Sequence, residues 1–172
     1  MRRRAILLFV VIAAALGVAT SSTVALALEP TQNSTTTTSS PSSSSGVQPY
    51  SVIGGITSAW GYNGDGELGN NSTTASFVPT PVSGLSSSEV KSVSAGVQHS
   101  LALKNDGTVW AWGLNGNGQL GNDSTTHSLV PVQVKDPNDP SHTGFLHDVI
   151  AVSAGASHSL ALKNDGTVWA WG

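Results

Sequence analysis

A glycine-rich stretch near the middle of the chain has residue types that could bind a ligand. "GDGELG" at 64–69 fits the glycine fingerprint of a dinucleotide-binding loop, whose backbone approaches a pyrophosphate. Asn63, Asp65 and Glu67 also offer alternating oxygen ligands, as at the start of a calcium loop. Which chemistry applies depends on the residues that follow the motif.

The surrounding sequence supports neither kind of site. A second copy, "GNGQLG" at 116–121, keeps the glycines but has amides in place of the carboxylates, and the twelfth calcium-loop position is Thr74 instead of glutamate. The β-branched, proline-bearing run "NNSTTASFVPTPV" stands where a dinucleotide site needs a helix. We therefore expect no metal and no cofactor. The motif is interpreted as a turn anchored by Leu68 and Leu120, with Asp65 and Glu67 at the surface.

Two histidines, His99 and His158, each precede a serine and invite a catalytic interpretation. Nucleophilic catalysis needs a base beside the hydroxyl, but consecutive residues of a strand point to opposite faces. A catalytic centre is needed once, whereas a hydrogen-bonding imidazole is useful in every repeat. The sequence therefore predicts no catalytic residues and a structural role for both histidines.

One loop, 135–148, has no counterpart in the rest of the chain. Its sequence is "KDPNDPSHTGFLHD", and fourteen residues separate Val134 from Val149 where seven separate Val82 from Val90. Binding residues often lie on loops carried by a rigid scaffold. The acids and histidines do not have the spacing that a metal site requires, and Phe145 could instead pack the loop onto its sheet. The candidate partner-binding residues are Asp136, Asp139, His142, Phe145 and His147.

The chain repeats itself. "SAGVQHSLALKNDGTVWAWG" at 94–113 returns at 153–172 with two changes, and the segment at 60–82 returns at 112–134. Each unit contains four short strands, with a hairpin turn at Asn105-Asp106-Gly107 and a proline-bearing strand expected at a sheet edge. Four strands recurring at this spacing predict a β-propeller in which each unit is one blade.

The run "SAGxxHSLALKNDGTVWAWGxNxxGxLGN" resembles the repeat of the regulator of chromosome condensation family over about 57–172. The resemblance implies a closed ring of blades, here of a secreted bacterial type. The tryptophans are predicted to pack between blades, although they could stack on sugars or on a protein partner. The structural repeat residues are Gly96, His99, Gly107, Trp110, Trp112, Gly113, Gly118, Gly121, Gly155, His158, Gly166, Trp169 and Trp171.

The predicted organisation is all-β: a partial propeller of two four-stranded blades plus the first strands of flanking blades. The segments are a signal peptide (1–27), a Ser/Thr/Pro-rich disordered linker (28–46), an incomplete hairpin (47–56), repeat 1 (57–107), repeat 2 (108–166) and the start of a third repeat (167–172). The strand that carries the His-Ser pair is expected to be missing before 47–56. Two units cannot close a ring, so we expect further blades or, alternatively, several copies of the chain to complete it.

The N-terminal segment predicts export. Three arginines precede an apolar run from Ala5 to Ala19, and Ala25-Leu26-Ala27 supplies a small-x-small cleavage site. The fifteen residues of this run fall short of the ~20 needed to span a bilayer, although an uncleaved membrane anchor is the alternative. The chain has no cysteine, which excludes a disulfide framework. We expect a secreted or cell-surface protein.

Charge narrows the possible functions. After residue 27, four lysines oppose ten carboxylates, a formal charge of −6, which argues against nucleic acid as a partner. We expect an exported, non-enzymatic scaffold that binds protein partners through its loops. The resemblance leaves two alternatives, an inhibitor of an extracellular enzyme such as a β-lactamase or a guanine-nucleotide exchange regulator. The propeller fold leaves a third, a carbohydrate-active enzyme of another class.

Overall fold

The structure, a computed structural model, describes residues 24–28, 56–86, 89–140 and 143–172. These residues form ten β-strands and no helix, and therefore no helix that could cross a membrane. The strands are β1 (Val24–Leu28), β2 (Ile56–Gly61), β3 (Ser76–Ser86), β4 (Val90–Ala95), β5 (His99–Lys104), β6 (Val109–Gly113), β7 (Ser128–Gln133), β8 (Val149–Ala154), β9 (Ser159–Lys163) and β10 (Val168–Trp171).

The strands form three antiparallel sheets. The leading sheet has the order β1-β2-β3, the central sheet β4-β5-β6-β7 and the trailing sheet β10-β9-β8. This arrangement confirms the prediction of an all-β partial propeller. The proline-bearing strands β3 and β7 lie at sheet edges, as expected, because proline cannot donate a hydrogen bond to a neighbouring strand.

Sequence repeats and sheets are out of phase, which differs from the expectation that each unit is one blade. Repeat 1 contributes β2 and β3 to the leading sheet but β4 and β5 to the central sheet. Only the central sheet has four strands among the described residues. The predicted hairpin at Asn105-Asp106-Gly107 joins β5 to β6, and Gly107 adopts a φ of 82° there. Each repeat therefore bridges two sheets and ties neighbouring blades together covalently.

A strand occupies the place in the leading sheet where the sequence suggested that one was missing. β1 pairs with β2 so that Ala25 lies opposite Trp60, in the register that places Ser100 opposite Trp112 in the central sheet. The expectation of a lost strand is thus corrected, because "ALAL" at 25–28 repeats the apolar part of "SLAL" at 100–103. The rest of the predicted signal segment and linker, and the turn proposed at Gly54-Gly55, lie outside the described residues.

The apolar core lies between the sheets. One cluster joins the leading and central sheets through Ala59, Leu68, Val82, Leu85, Val90, Ala102 and Trp112. A second cluster joins the central and trailing sheets through Leu101, Leu103, Val109, Ala111, Leu120, Val134, Leu146, Val149 and Ala161. Each sheet therefore depends on its neighbour for burial, as expected of stacked repeats.

Candidate functional site

The two glycine-rich turns are each organised around one buried asparagine. Asn63 Nδ2 donates to the carbonyl oxygens of Ser72 (2.8 Å) and Thr74 (3.1 Å) and to Oδ1 of Asn70 (3.2 Å), while its Oδ1 accepts from the backbone N–H of Leu68 (2.8 Å). Asn115 makes the equivalent bonds in the second turn. Each amide group thus hydrogen-bonds to four residues of the loop that follows it. The described residues contain no group of three ligands placed to hold a metal.

The side chain of Glu67 is fully buried, which corrects the expectation that it lies at the surface. Its Oε2 accepts from the backbone N–H of Asp65 at 2.9 Å, as Oε1 of Gln119 does from Asn117 at 2.9 Å. Burial raises the pKa of the Glu67 carboxyl, and the neighbouring Asp65 charge adds to the rise. The charge of Glu67 suggested exposure. The uncharged glutamine at the equivalent position, Gln119, was the sequence signal that this site is buried.

Asp65 is not a free surface group either. Its carboxylate accepts from Gln98 Nε2 at 3.0 Å and lies 3.2 Å from Nδ1 of His127. Both partners belong to the part of the chain that forms the central sheet and its connections. Asp65 therefore links the first turn to the next blade, a contact that sequence analysis missed because its partners lie far along the chain.

The peptide carbonyl of each turn joins neighbouring sheets. The carbonyl oxygen of Glu67 accepts from Ser100 Oγ (3.0 Å) and from Trp112 Nε1 (2.7 Å). The carbonyl oxygen of Gln119 accepts in the same way from Ser159 Oγ (2.8 Å) and Trp171 Nε1 (2.9 Å). These bonds make each glycine-rich turn a latch between one sheet and the next.

Glycine is required where the indole approaches the turn. Gly69 has a φ of 64°, and a Cβ built there would lie 2.8 Å from Nε1 of Trp112. Gly121 has the same relationship to Trp171. A larger residue would therefore be strained in backbone conformation and would also push the indole away from the carbonyl it binds.

His99 takes part in the second latch. Its Nε2 lies 2.9 Å from Ser159 Oγ, whose own proton is donated to the Gln119 carbonyl, so His99 donates and Ser159 accepts. Burial, with a smaller effect of His158, lowers the pKa of His99 to about 4. Its buried Nδ1 has no hydrogen-bond partner among the described residues. A neutral imidazole that donates to a serine and lacks an orienting group cannot activate that serine as a nucleophile.

The remaining repeat residues occupy backbone and packing positions. Trp112 is fully buried and Trp110 packs partly against the first core cluster, with Lys104 Nζ 4.8 Å from its ring centroid. Trp169 and Trp171 pack against the second cluster. Gly107, Gly113, Gly118, Gly121 and Gly166 have positive φ, whereas Gly96 and Gly155 lie close to the imidazoles of His99 and His158.

The insertion loop, 135–148, is fixed to the molecule by Leu146. This side chain is only 1% exposed and belongs to the second core cluster, whereas Phe145 is 40% exposed. The sequence signal was Leu85, the leucine in the shorter segment between Val82 and Val90, which the structure also buries. Leu146, which sequence analysis did not select, therefore packs the loop onto the molecule, and Phe145 is left partly in solvent.

Polar contacts within the insertion loop shape its outer surface. Asp139 Oδ2 accepts from the backbone N–H groups of Thr143, at 3.0 Å, and Gly144. Lys135 Nζ lies 4.5 Å from the centroid of the Phe145 ring, and these two residues also form a β-bridge. These contacts hold the described part of the loop backbone beside the aromatic ring.

His147 lies between two carboxylates of the same loop. Its Nδ1 is 2.7 Å from Oδ2 of Asp148, and its Nε2 is 4.0 Å from Oδ2 of Asp136. The candidate residues Asp136, Phe145 and His147 therefore share this part of the chain, with Asp139 serving as a backbone cap. His142 lies outside the described residues.

Family models match most of the part of the chain that the structure describes. The model for the "Regulator of chromosome condensation (RCC1) repeat" matches residues 59–103 and 106–162, and a second model of the same description matches 90–119. The chain belongs to the RCC1 repeat family. The matched ranges include both glycine-rich turns and the insertion loop, so the loop is carried within an RCC1 repeat.

RCC1-repeat proteins of diverse function are similar to this chain. It is 35% identical over 123 residues to the ultraviolet-B receptor UVR8 of Arabidopsis thaliana, covering 72% of this chain and 26% of UVR8. It is 37% identical over 113 residues to the human probable E3 ubiquitin-protein ligase HERC6, covering 65% of this chain and 10% of HERC6. This chain thus spans about a quarter or less of the length of these relatives.

Solved structures support the same fold. Human WBSCR16 matches with a TM-score of 0.59 at 25% identity, covering 70% of this chain and 29% of that one. Yeast RCC1 (Prp20), solved bound to Kap60, matches with a TM-score of 0.50 at 28% identity, covering 67% and 25%. A further structure of Prp20p, described with its binding to Gsp1p and histones, matches with a TM-score of 0.52.

Proposed function

We propose that this RCC1-repeat chain is an exported, non-enzymatic scaffold that binds a protein partner through the insertion loop. The N-terminal arginines, apolar run and small-x-small site support export. The yeast RCC1 relatives are described by their protein partners, Kap60 in one case and Gsp1p and histones in the other. Protein binding is therefore the property that these relatives suggest for this chain.

The observation that carries the proposal is an exposed aromatic ring on a loop that is anchored to the core. Leu146 and Asp139 hold the loop, which removes much of the ordering cost that a mobile segment pays on binding. Phe145 is 40% exposed, and the side chains of His147 and Asp148 are 59% and 52% exposed beside it. An aromatic anchor with a polar rim is typical of a protein-binding surface.

The charge of the loop indicates the kind of partner. Asp136, Asp139 and Asp148 outnumber the single cation Lys135, which lies over the Phe145 ring. A partner surface with a pocket for an aromatic ring and a basic rim would complement this loop. Such a partner would bind more weakly as salt concentration rises, because the rim charges are screened.

A loop exchange tests the proposal. Residues 135–148 are replaced by the seven residues 83–89, which include the end of β3, lead to β4 and contain the equivalent buried leucine, Leu85. We expect the wild-type chain to retain specific proteins from culture supernatant and the exchanged chain to lose them. Phe145→Ser should reduce retention as well, whereas Phe77→Ser, another exposed phenylalanine, should not. Unchanged retention by the loop-exchanged chain would contradict the proposal.

Export is tested separately. The chain is expressed with its own N-terminus, and the protein in the medium is sequenced from its first residue. We expect most of the protein in the medium, with Leu28 as its first residue after cleavage at the Ala25-Leu26-Ala27 site, so that the mature chain lacks residues 24–27 of β1. Protein that stays inside the cell with residues 1–27 intact would contradict export, without bearing on loop binding.

A further inference from the structure

Four Asn-x-Ser/Thr triplets occur in the chain, beginning at Asn33, Asn70, Asn71 and Asn122. Such a triplet is the signal for N-linked glycosylation of exported proteins, in which the side-chain amide of the asparagine receives a glycan. Asn33 lies outside the described residues. The other three lie in the two loops that follow the glycine-rich turns, and the structure separates them into two kinds.

Asn70 and Asn122 belong to the hydrogen-bond networks that hold their loops. Asn70 Oδ1 accepts from Asn63 Nδ2 at 3.2 Å, and Asn122 Oδ1 accepts from Asn115 Nδ2 at 3.0 Å. Both residues are half-buried. Because a glycan is bulky and must lie in solvent, on either amide it would disturb the contact that closes the loop. The fold therefore disfavours a glycan at these two positions.

Asn71 is bonded to the fold through its backbone. Its N–H donates to the Leu129 carbonyl at 3.0 Å, and its φ is 61°. Asn71 is exposed, and so is Thr73, the third residue of its triplet. Within the described ranges, neither of these two side chains makes a hydrogen bond. The loop thus fixes the backbone at this point and leaves the acceptor amide and the threonine hydroxyl in solvent.

The exposure of Asn71 does not depend on which neighbouring repeats are present. Asn71 has the following repeat beside it, because its N–H binds Leu129 of β7. The equivalent position in the second loop, Asp123, has the preceding repeat beside it and a φ of 60°. Asp123 and Thr125, the equivalent of Thr73, are both exposed as well. Neither neighbour therefore covers this point of the repeat.

We propose that Asn71 is the residue of the repeats that accepts an N-linked glycan during export. Its Nδ2 attacks the anomeric carbon of an oligosaccharide carried on a lipid diphosphate. The C–N bond forms, the C–O bond to the diphosphate breaks, the lipid diphosphate leaves, and a base of the transferase takes the amide proton. Thr73 supplies the hydroxyl that completes the signal. The proposal rests on the proposed export and is independent of partner binding by the insertion loop.

The proposed site occurs in one repeat only. Asp123 occupies the equivalent position in the second repeat, and a carboxylate has no amide nitrogen to glycosylate. The two loops have the same backbone conformation at this point, so the difference lies in the side chain alone. We therefore expect one glycan on this part of the chain, on the loop of the leading sheet.

The overlap of two triplets provides a matched pair of variants. Ser72→Ala removes the signal at Asn70 and keeps the one at Asn71, whereas Thr73→Ala does the reverse. All chains carry Asn33→Gln, so that the first triplet does not contribute. The full chain is expressed in yeast behind a yeast secretion leader. Treatment with peptide N-glycosidase converts a glycosylated asparagine to aspartate, and mass spectrometry of the peptides then locates it.

We expect one glycan on the reference chain and on Ser72→Ala, and its complete loss in Thr73→Ala and Asn71→Gln. Circular dichroism confirms that each variant keeps its β-structure. A reference chain that reaches the medium without a glycan would overturn the proposal. A glycan found at Asn70 or Asn122, or one retained by Thr73→Ala, would overturn it as well.

A second expression separates this proposal from the proposed export. The same chain is produced with its own N-terminus and no added leader. If that chain stays inside the cell without a glycan while the leader-driven chain carries one at Asn71, export is contradicted and the acceptor site is supported. If both chains reach the medium without a glycan, export is supported and the acceptor site is overturned.

Discussion

Nε2 of His99 donates a hydrogen bond to Ser159 Oγ across 2.9 Å, from the central sheet to the trailing sheet. Ser159 Oγ in turn donates a hydrogen bond to the Gln119 carbonyl oxygen at 2.8 Å. The same oxygen also accepts from Trp171 Nε1. One buried chain of hydrogen bonds thus connects a strand, a turn and the neighbouring blade. The imidazole must be neutral to remain there, which makes the boundary sensitive to pH.

We expect acid to destabilise the protein through His99. Its pKa is lowered from the ordinary value of 6.5 to about 4 in the folded state, so between these values the unfolded chain binds more protons. The stabilisation is fully present above about pH 6.5 and is lost as the pH falls towards 4, with a slope of up to about 1.4 kcal/mol per pH unit. Urea unfolding of the wild type and of His99→Gln between pH 4 and 7 measures this slope. An equal slope in both proteins would contradict the assignment.

We expect Glu67→Gln to stabilise the protein at neutral pH. The raised pKa of Glu67 means that its contribution to stability is most favourable in acid and is lost as the pH rises through the folded-state pKa. Glutamine already occupies the equivalent position, 119, so the substitution removes a buried charge without changing shape. The free energy of unfolding at pH 7 should rise by about 1 kcal/mol, and the difference should vanish in acid.

The control for this substitution is Glu89→Gln. Glu89 forms an exposed ion pair with Lys104 at 3.3 Å, and such pairs contribute about 0–1 kcal/mol. Its substitution should therefore leave stability at pH 7 unchanged or slightly lower. A loss of stability in Glu67→Gln would show that the ionised carboxylate is well accommodated in its site.

We expect substitution by phenylalanine to reduce the free energy of unfolding much more at one tryptophan of β6 than at the other. Trp112→Phe removes a fully buried indole N–H that donates to the Glu67 carbonyl at 2.7 Å, and should cost about 2–3 kcal/mol. Trp110 donates only to the neighbouring Thr108 at 3.3 Å and is partly exposed, so Trp110→Phe should cost less than about 1 kcal/mol. Guanidinium unfolding of both variants checks the ranking, and similar costs would argue against the latch.

We expect substitutions at two adjacent residues of the insertion loop to have opposite effects: one mainly lowers stability and the other mainly weakens partner binding. Leu146→Ala removes a core side chain and should cost about 3 kcal/mol, whereas Phe145→Ala should cost less than about 1 kcal/mol because the ring is partly in solvent. Thermal unfolding measures both. The proposed partner contact predicts the reverse order in a binding assay: Phe145→Ala should weaken retention of the partner at temperatures where the Leu146→Ala chain is still folded.

The sequence by itself determined the repeat, the strands and the family. Near-identical copies of one segment, alternating apolar residues and a glycine-containing hairpin are local patterns, and the structure confirmed the hairpin and the edge positions of the proline-bearing strands. Leu68 and Leu120 were also correctly predicted to be buried anchors of the two turns. These features could be predicted because each is fixed by residues close together in the chain.

Only the tertiary structure decided which contacts join the blades. Glu67 looks like a surface residue in the sequence but is fully buried in the fold, and Asp65 meets Gln98 and His127 only because successive repeats stack. The same holds for Leu146, whose burial depends on the core between two sheets, and for β1, which pairs with β2 across a long stretch of chain. Such contacts depend on how far-apart segments are placed in space. A sequence shows which residues could make them, and packing determines which ones do.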